Sequence, residues 1–381
     1  MFLSIFFLIY ASAHLYVFLK ARAALGFGLS AGVPLAAFML VMTASPLIIY
    51  FSEKHHYEFI AKLVSYTGYT WMGLLFLFVC AVFIIDAFRF FVYMAALISH
   101  KELFYITPSA KFSFYIPLII SLTIGVYGYF EARNIHTERL VISTSKLPAG
   151  VDRLRIVQIS DVHIGLIVRE DRLRNILDKA KEANPDILIS TGDLVDAQID
   201  SLAGLAEMIK EINPRYGEFA ITGNHEFYAG IEHAMDFTRN AGFVVLRGHG
   251  VTVNGLINIA GVDDPAGKPF GVYRQVSEKA LLSGFHNNLF TLFLKHRPVL
   301  DKEGSGLFDL QLSGHTHKGQ IFPLSLFTKL AYIIDTGYLK LGSNSGLYVS
   351  RGAGTWGPPM RFLAPPEVTI IDLKSQQRYT D

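Results

Sequence analysis

The chain has 381 residues, 51% of them apolar, with 34 Lys/Arg against 32 Asp/Glu and a formal net charge of +2. A charge balance this mild, with no basic stripe interleaved with aromatics, does not imply nucleic acid, and no nucleic-acid partner is expected. The single cysteine, Cys80, excludes an intramolecular disulfide and a thiolate metal site, so any metal must be held by His, Asp and Asn.

The charges are unevenly spread. Residues 1–130 carry 7 Lys/Arg and 4 Asp/Glu, whereas the remaining 251 residues carry the other 55 of the 66 charges. This predicts a membrane part, residues 1–135 with about four helices, followed by a water-soluble domain, residues 136–381. Residues 1–17 are almost wholly apolar and are followed by Lys20 and Arg22. They read as a first transmembrane helix. Ala11-Ser12-Ala13 imitates a signal-peptidase site, but no basic n-region precedes it. Residues 30–51 form a second span of bilayer length. Residues 69–97 exceed one span, and Asp86 and Arg89 interrupt them. We read a span ending near Asp86 with an amphipathic interfacial helix after it, the alternative being an intramembrane functional pair. Residues 112–130 are the fourth span. Four spans make an integral membrane protein with both termini on one side. Basic residues near the span ends tie between the faces, and the bare start and basic end of the first helix favour an extracytoplasmic soluble domain.

Beyond residue 138 strands and helices alternate, which predicts the α/β class. Strands are expected at 154–160, 187–190, 218–221, 243–246, 257–260, 289–294, 308–312, 347–350 and 368–373. Helices are expected at 168–183, 201–212, 231–241 and 276–283. A Gly- and Pro-rich loop occupies 351–366.

Ligand-type residues gather where these strands end: Asp161, His163, Asp193, Asn224, His225, His296, His315 and His317. Open α/β sheets place their sites at the carboxyl ends of strands. Asp161 and His163 stand two apart, so in extended backbone they face the same way and can close on one cation. Oxygen and imidazole donors in this number exceed what one tetrahedral ion takes and suit two five- or six-coordinate ions, and such a pair suits phosphoryl transfer. The glycines before Asp193, Asn224 and His315 let the backbone turn sharply and approach closely. His136, His233, His249 and His286 read instead as hydrogen-bonded packing residues, and Asp263-Asp264-Pro265 as a capped turn.

The order D-x-H, G-D-x-x-D, G-N-H-E, a lone His and G-H-x-H resembles the calcineurin-like metallophosphoesterases over roughly residues 150–375. Gly261-Val262-Asp263-Asp264-Pro265, the stretch from Ser350 to Gly357 and Pro365-Pro366-Glu367 resemble their membrane-associated bacterial branch. The resemblance implies a sandwich of two mixed sheets flanked by helices. It implies two divalent ions (Mn, Fe, Zn or Mg), one held by Asp161, His163 and His317, the other by Asn224, His296 and His315, with Asp193 bridging. It also implies that His225 faces the phosphoryl group, that Asp196 orients it, and that a hydroxide between the ions hydrolyses a phosphoric ester or anhydride. Lys318 departs from the branch, which has glycine there; its cation either meets an anionic substrate or points into solvent. Anchoring points to lipid-linked phosphoesters, of which UDP-diacylglucosamine is one candidate the resemblance permits. The alternatives are a phosphodiesterase or phosphatase acting on soluble esters, and a membrane sensor or scaffold with a structural metal site. No motif sets an oligomeric state.

Overall fold

The computed structural model describes residues 2–196, 204–286, 288–342 and 345–376, and divides into two compact units. The first runs to Phe130 and also takes in Gly357–Met360. Its helices are α1 (Phe2–Leu25), α2 (Leu29–Lys54), α3 (Glu58–Ser99) and α4 (Phe112–Glu131), all four long and apolar enough to cross a membrane.

α3 is unbroken over 42 residues, about 63 Å at 1.5 Å per residue, and so does not stop near Asp86 as expected. No Pro or Gly lies between Cys80 and Ser99 to break it. The Asp86 charge is compensated within the helices. Tyr16 Oη donates to it at 2.5 Å, Lys20 Nζ at 2.7 Å, and the Arg89 guanidinium stands 3.7 Å away. His14 is equally occupied: its Nδ1–H donates to the Tyr10 carbonyl at 2.8 Å and its Nε2 accepts from Trp71 Nε1 at 2.8 Å. Small residues bring α2 and α3 together, since a Cβ on Gly68 would fall 2.6 Å from Ser45 Oγ.

The second unit holds two mixed six-stranded sheets. The first is ordered β1 (His136–Thr144), β12 (Glu367–Ser375), β2 (Arg153–Ile159), β3 (Ile187–Ser190), β4 (Glu218–Ala220) and β5 (Val244–Val245). The second is ordered β10 (Gly337–Leu341), β11 (Ser345–Val349), β9 (Leu310–Ser313), β8 (Phe290–Leu294), β7 (Ile257–Gly261) and β6 (His249–Val253). β2 to β5 run parallel, as do β7, β8, β9 and β11, so their carboxyl ends gather on one side of each sheet.

The pleat sorts the side chains. Leu154, Ile156, Ile187 and Ile189 join Ile257, Ile259, Leu292, Leu294, Leu310 and Leu312 in one core between the sheets. The alternate residues Val157, Ile159 and Leu188 face outward into a second core under the helices. α5 (Glu170–Glu182) closes that layer with Leu173, Ile176, Leu177 and Ala180 buried at helical spacing, acidic residues in its first turn and lysines in its last. α6 (Leu205–Lys210) and α8 (Ile231–Asn240) contribute Ile209 and Ala234 to the same core. The expected helix at 201–212 lies outside the described residues for its first three positions.

The strands that sequence patterning misses, β1, β6 and β10, are three of the four sheet edges. An edge strand half-buried along its length, such as His136–Thr144, shows no continuous apolar run. Two short helices were also unexpected: α7 (His225–Ala229) and α10 (Ser325–Ala331).

Candidate metal centre

Each ligand-type residue follows a strand of one of the parallel runs: Asp161 and His163 after β2, Asp193 after β3, Asn224 after β4, His296 after β8, His315 and His317 after β9. The structure brings all of them together. Asp161, His163 and His317 offer donor atoms within 4.8 Å of one another, as do Asp193, His296 and His315. Asp193 Oδ2 lies 3.1 Å from His296 Nε2 and 3.9 Å from His163 Nε2, so one carboxylate faces both clusters. Asn224 Oδ1 lies 3.3 Å from His296 Nε2, which is 3.2 Å from His315 Nδ1. His163 Nε2 and His317 Nε2 approach to 3.0 Å, with Asp161 Oδ1 3.4 Å from the latter.

The local backbone differs from the extended pair expected. β2 stops at Ile159, and Asp161 and His163 have φ of 52° and 54°. Asp193, His315 and His317 are left-handed too, with φ of 50°, 72° and 48°. Five non-glycine residues in that region at one site store about 1 kcal/mol or more apiece, tolerated because the packing around them fixes the turn. Glycines permit the approach. A Cβ on Gly223 would sit 2.1 Å from Asp193 Oδ1, and one on Gly314 2.2 Å from Asp161 Oδ2. Lys318 also takes a left-handed φ of 51°, a conformation that favours glycine.

Burial and charge set the protonation. Burial pushes the His163 and His315 imidazoles down to about 4 and about 3, and His317 far down, so their lone pairs stay available to a cation. Burial raises the Asp161 carboxyl to about 6. Burial works against ionisation of Asp193 as well, but the His296 and His225 cations beside it hold its carboxyl well below the usual range. His296, although burial opposes its charge, is lifted to about 10 by Asp193. The same two groups would accept a divalent cation in place of that proton. The donor set fits such ions: oxygen and imidazole donors converge, and the buried His163 Nδ1 finds no hydrogen-bond partner among the described residues.

His225 stands at the edge of this cluster. Its Nδ1 donates to Asp196 Oδ1 at 2.8 Å, its main-chain N–H donates to Asp193 Oδ1 at 2.8 Å, and its ring packs edge-on against His163 with centroids 4.6 Å apart. Burial opposes its charge, but Asp193 and Asp196 raise its pKa to about 9. Its ring also offers an atom within 4.8 Å of His163 and Asp193 donors, so proximity alone does not separate it from the ligands. Trp356 and Tyr228 border it at centroid distances of 6.0 and 5.5 Å, and both are exposed.

Two residues that carry the frame escaped the sequence reading. Glu226, buried, accepts main-chain N–H groups from Asp193, Leu194, Val195 and Gly223 at 2.6–3.3 Å, tying the turns after β3 and β4 together. Burial and Asp193 push its carboxyl up to about 7, against which the four N–H donors favour the ionised form. Arg361, fully buried, spends its N–H groups on the carbonyls of Arg351, Gly352, Gly354 and Ala364 and lies 3.1 Å from His317 Nδ1. The acid of G-N-H-E was the available signal for the first; nothing in the loop pattern marks the second. Asp263 and Asp264 serve structure as expected, each forming a two-point pair, with Arg247 and Arg297 respectively, while Asp264 also caps a 3₁₀ turn at Ala266 N. His233, His249 and His286 correct the packing expectation: all three are exposed, and His136 is half-exposed.

Residues 154–319 match the family model described as calcineurin-like phosphoesterase. An uncharacterized metallophosphoesterase of Aquifex aeolicus is 40% identical over 260 residues, covering 68% of this chain and 99% of its own. One of Campylobacter jejuni is 31% identical over 320 residues, covering 82% and 84%. A zebrafish (Danio rerio) transmembrane protein with metallophosphoesterase domain is 32% identical over 270 residues, covering 68% and 62%. With the ligand residues converging at the strand ends and a relative matched over nearly its whole length, this chain belongs to the calcineurin-like phosphoesterases, metal-dependent hydrolases of phosphoric esters.

Proposed function

We propose that the chain is a membrane-anchored hydrolase of a lipid-linked phosphoric ester or anhydride and works with two divalent ions. The observation that supports it best is Asp193, whose carboxylate faces the Asp161–His163–His317 cluster on one side and the His296–His315 cluster on the other. In this reading Asp161, His163 and His317 hold one ion, Asn224, His296 and His315 the other, and Asp193 both. Divalent ions held there lower the pKa of an attacking water and neutralise charge on the phosphoryl oxygens.

The remaining work falls to the chain itself. His225 presents Nε2, the ring nitrogen not taken by Asp196, to the leaving oxygen and protonates it, and Asp196 orients the ring by accepting from Nδ1. Tyr228 and Trp356 wall the approach to that proton. Glu226 holds the Asp193 and Asn224 turns in register before substrate arrives.

The four apolar helices supply the substrate argument, because an enzyme kept at a bilayer meets lipid-linked esters at high local concentration. His14 and Asp86 speak against a sensor, since each is saturated by neighbouring side chains and main chain. We further place the catalytic unit on the extracytoplasmic side of a bacterial plasma membrane, from Lys20 and Arg22 directly after the first apolar run; impermeant thiol labelling of an introduced surface cysteine on intact cells checks the side.

The function is tested with the full chain in nanodiscs, chelated and then resupplied with single metals, on bis-p-nitrophenyl phosphate and p-nitrophenyl phosphate. Metal-restored hydrolysis is expected. Absence of turnover with every metal, in a folded and metal-loaded protein, would sink the enzyme reading. A lipid phosphoester in the same nanodiscs is expected to be turned over with a higher kcat/KM than the soluble esters.

A further inference from the structure

α10 and the turn after it are built inside out. Thr328, near the middle of this helix, points inward and donates to Asp335 Oδ2 at 2.9 Å, whereas Leu326, Phe327 and Leu330 face outward at i, i+1 and i+4. Leu330 is 86% exposed, Phe327 66%, and Ile333 just beyond the helix 67%. α10 has no buried residue. A helix in water turns its apolar stripe toward the core, and a cluster of large apolar side chains turned outward marks a surface meant to be covered.

The arm is joined to the metal-side turn. Thr316, between His315 and His317, donates to the Asp335 carbonyl at 2.6 Å, and the Tyr332 ring lies 6.0 Å from that of His315. Below it the Gln320 amide makes two hydrogen bonds with the main chain of Trp356, both at 2.9 Å. Lys329 stands exposed among the apolar residues.

We propose that α10 and the turn to Ile333 insert into the hydrocarbon boundary of an anionic lipid bilayer, so that the metal centre opens onto the membrane interface. The occupant follows from three observations. The outward face is aliphatic and aromatic apart from Lys329. Its cation suits anionic head groups. The same chain carries four helices long and apolar enough to cross a bilayer, and only residues 132–135 join α4 to β1, so a bilayer is the apolar surface nearest at hand. The inference rests on those helices being membrane spans, and it deepens the lipid-ester reading by giving the substrate a route that never leaves the interface.

The test uses the full chain carrying Cys80→Ser, with Phe327→Cys or Leu330→Cys labelled by an environment-sensitive fluorophore. Asn175→Cys on the exposed face of α5 is the control. Nanodiscs are phosphatidylcholine and phosphatidylglycerol, with and without lipid bearing a nitroxide high on its acyl chain. Positions 327 and 330 are expected to emit blue-shifted light, to be quenched at least twofold more than the control by the nitroxide lipid, and to resist aqueous iodide. Iodide quenching equal to the control overturns the proposal. A label shielded from both quenchers overturns it as well, because protein rather than lipid then covers the arm. Quenching needs no catalysis, so turnover of bis-p-nitrophenyl phosphate by the same samples separates failure of this inference from failure of the enzyme reading.

Discussion

The division of labour between ligands and acid is decided at single atoms. His225 is close enough to His163 and Asp193 to be counted with them, yet its Nδ1 is committed to Asp196. If it donates the proton to the leaving oxygen, His225→Ala lowers kcat by about 10²–10⁴ and leaves the metal content unchanged. Asp196→Asn, which keeps an acceptor for Nδ1 but removes the charge that sustains the imidazolium, lowers kcat less. Asp193→Asn, in contrast, loses bound metal. Elemental analysis beside kcat separates these outcomes: a His225→Ala protein short of metal would make His225 a ligand and refute its assignment as the acid.

Elements differ in how legible they were. The buried parallel strands β2, β3, β8 and β9 announced themselves as apolar runs ending in ligand residues, and α5 by its helical spacing. The edge strands β1, β6 and β10 did not, because many of their residues face solvent, and α10 did not, because its apolar residues face outward rather than a core. Residue types at the site were readable from motif order, but their left-handed backbone was not, since nothing in Asp161-Val162-His163 itself calls for φ near +50°. Also invisible was Glu226 as the knot between two turns. Glu226→Gln replaces an oxygen by a donor facing main-chain N–H groups. It should destabilise the catalytic unit by about 1–3 kcal/mol, read from denaturant midpoints at constant m. β4 carries a different liability. Glu218 is buried, its Oε2 has no hydrogen-bond partner among the described residues, and burial raises its carboxyl to about 7 from 4.5. The folded state therefore keeps a proton that the unfolded chain releases near pH 4.5, so stability is fully present below that value and falls as pH rises toward 7. Glu218→Gln should be more stable than the parent at pH 8, by on the order of 1–3 kcal/mol, with the advantage gone at pH 4. A pH-independent difference would mean that burial of this carboxylate is not the cause.

At the scale of the whole molecule the two units should answer metal removal differently. In the catalytic unit Asp161 and Asp193 are at most 2% exposed and sit among six buried or half-buried imidazole and amide groups gathered from both sheets. Cations held by these residues would tie the turns of β2, β3 and β4 to those of β8 and β9, so their loss would weaken the joint between the sheets as well as the chemistry. Binding to the native state alone adds RT ln(1 + [L]/Kd), about 2.7 kcal/mol at a hundredfold excess over Kd, and a unit of this size gains roughly 2–4 °C in Tm per kcal/mol. Chelation of the full chain should therefore lower the catalytic unit's transition by about 5–10 °C, with the shift restored by whichever single metal restores hydrolysis. The four apolar helices owe nothing to those ligands, and their main-chain hydrogen bonds close within each helix. Their contribution to the far-ultraviolet circular dichroism should persist through the chelated transition. A metal that restored Tm without activity would locate it in the cluster but deny it the reaction, and a chelated protein melting unchanged would show that the ligand turns are held by their hydrogen bonds alone.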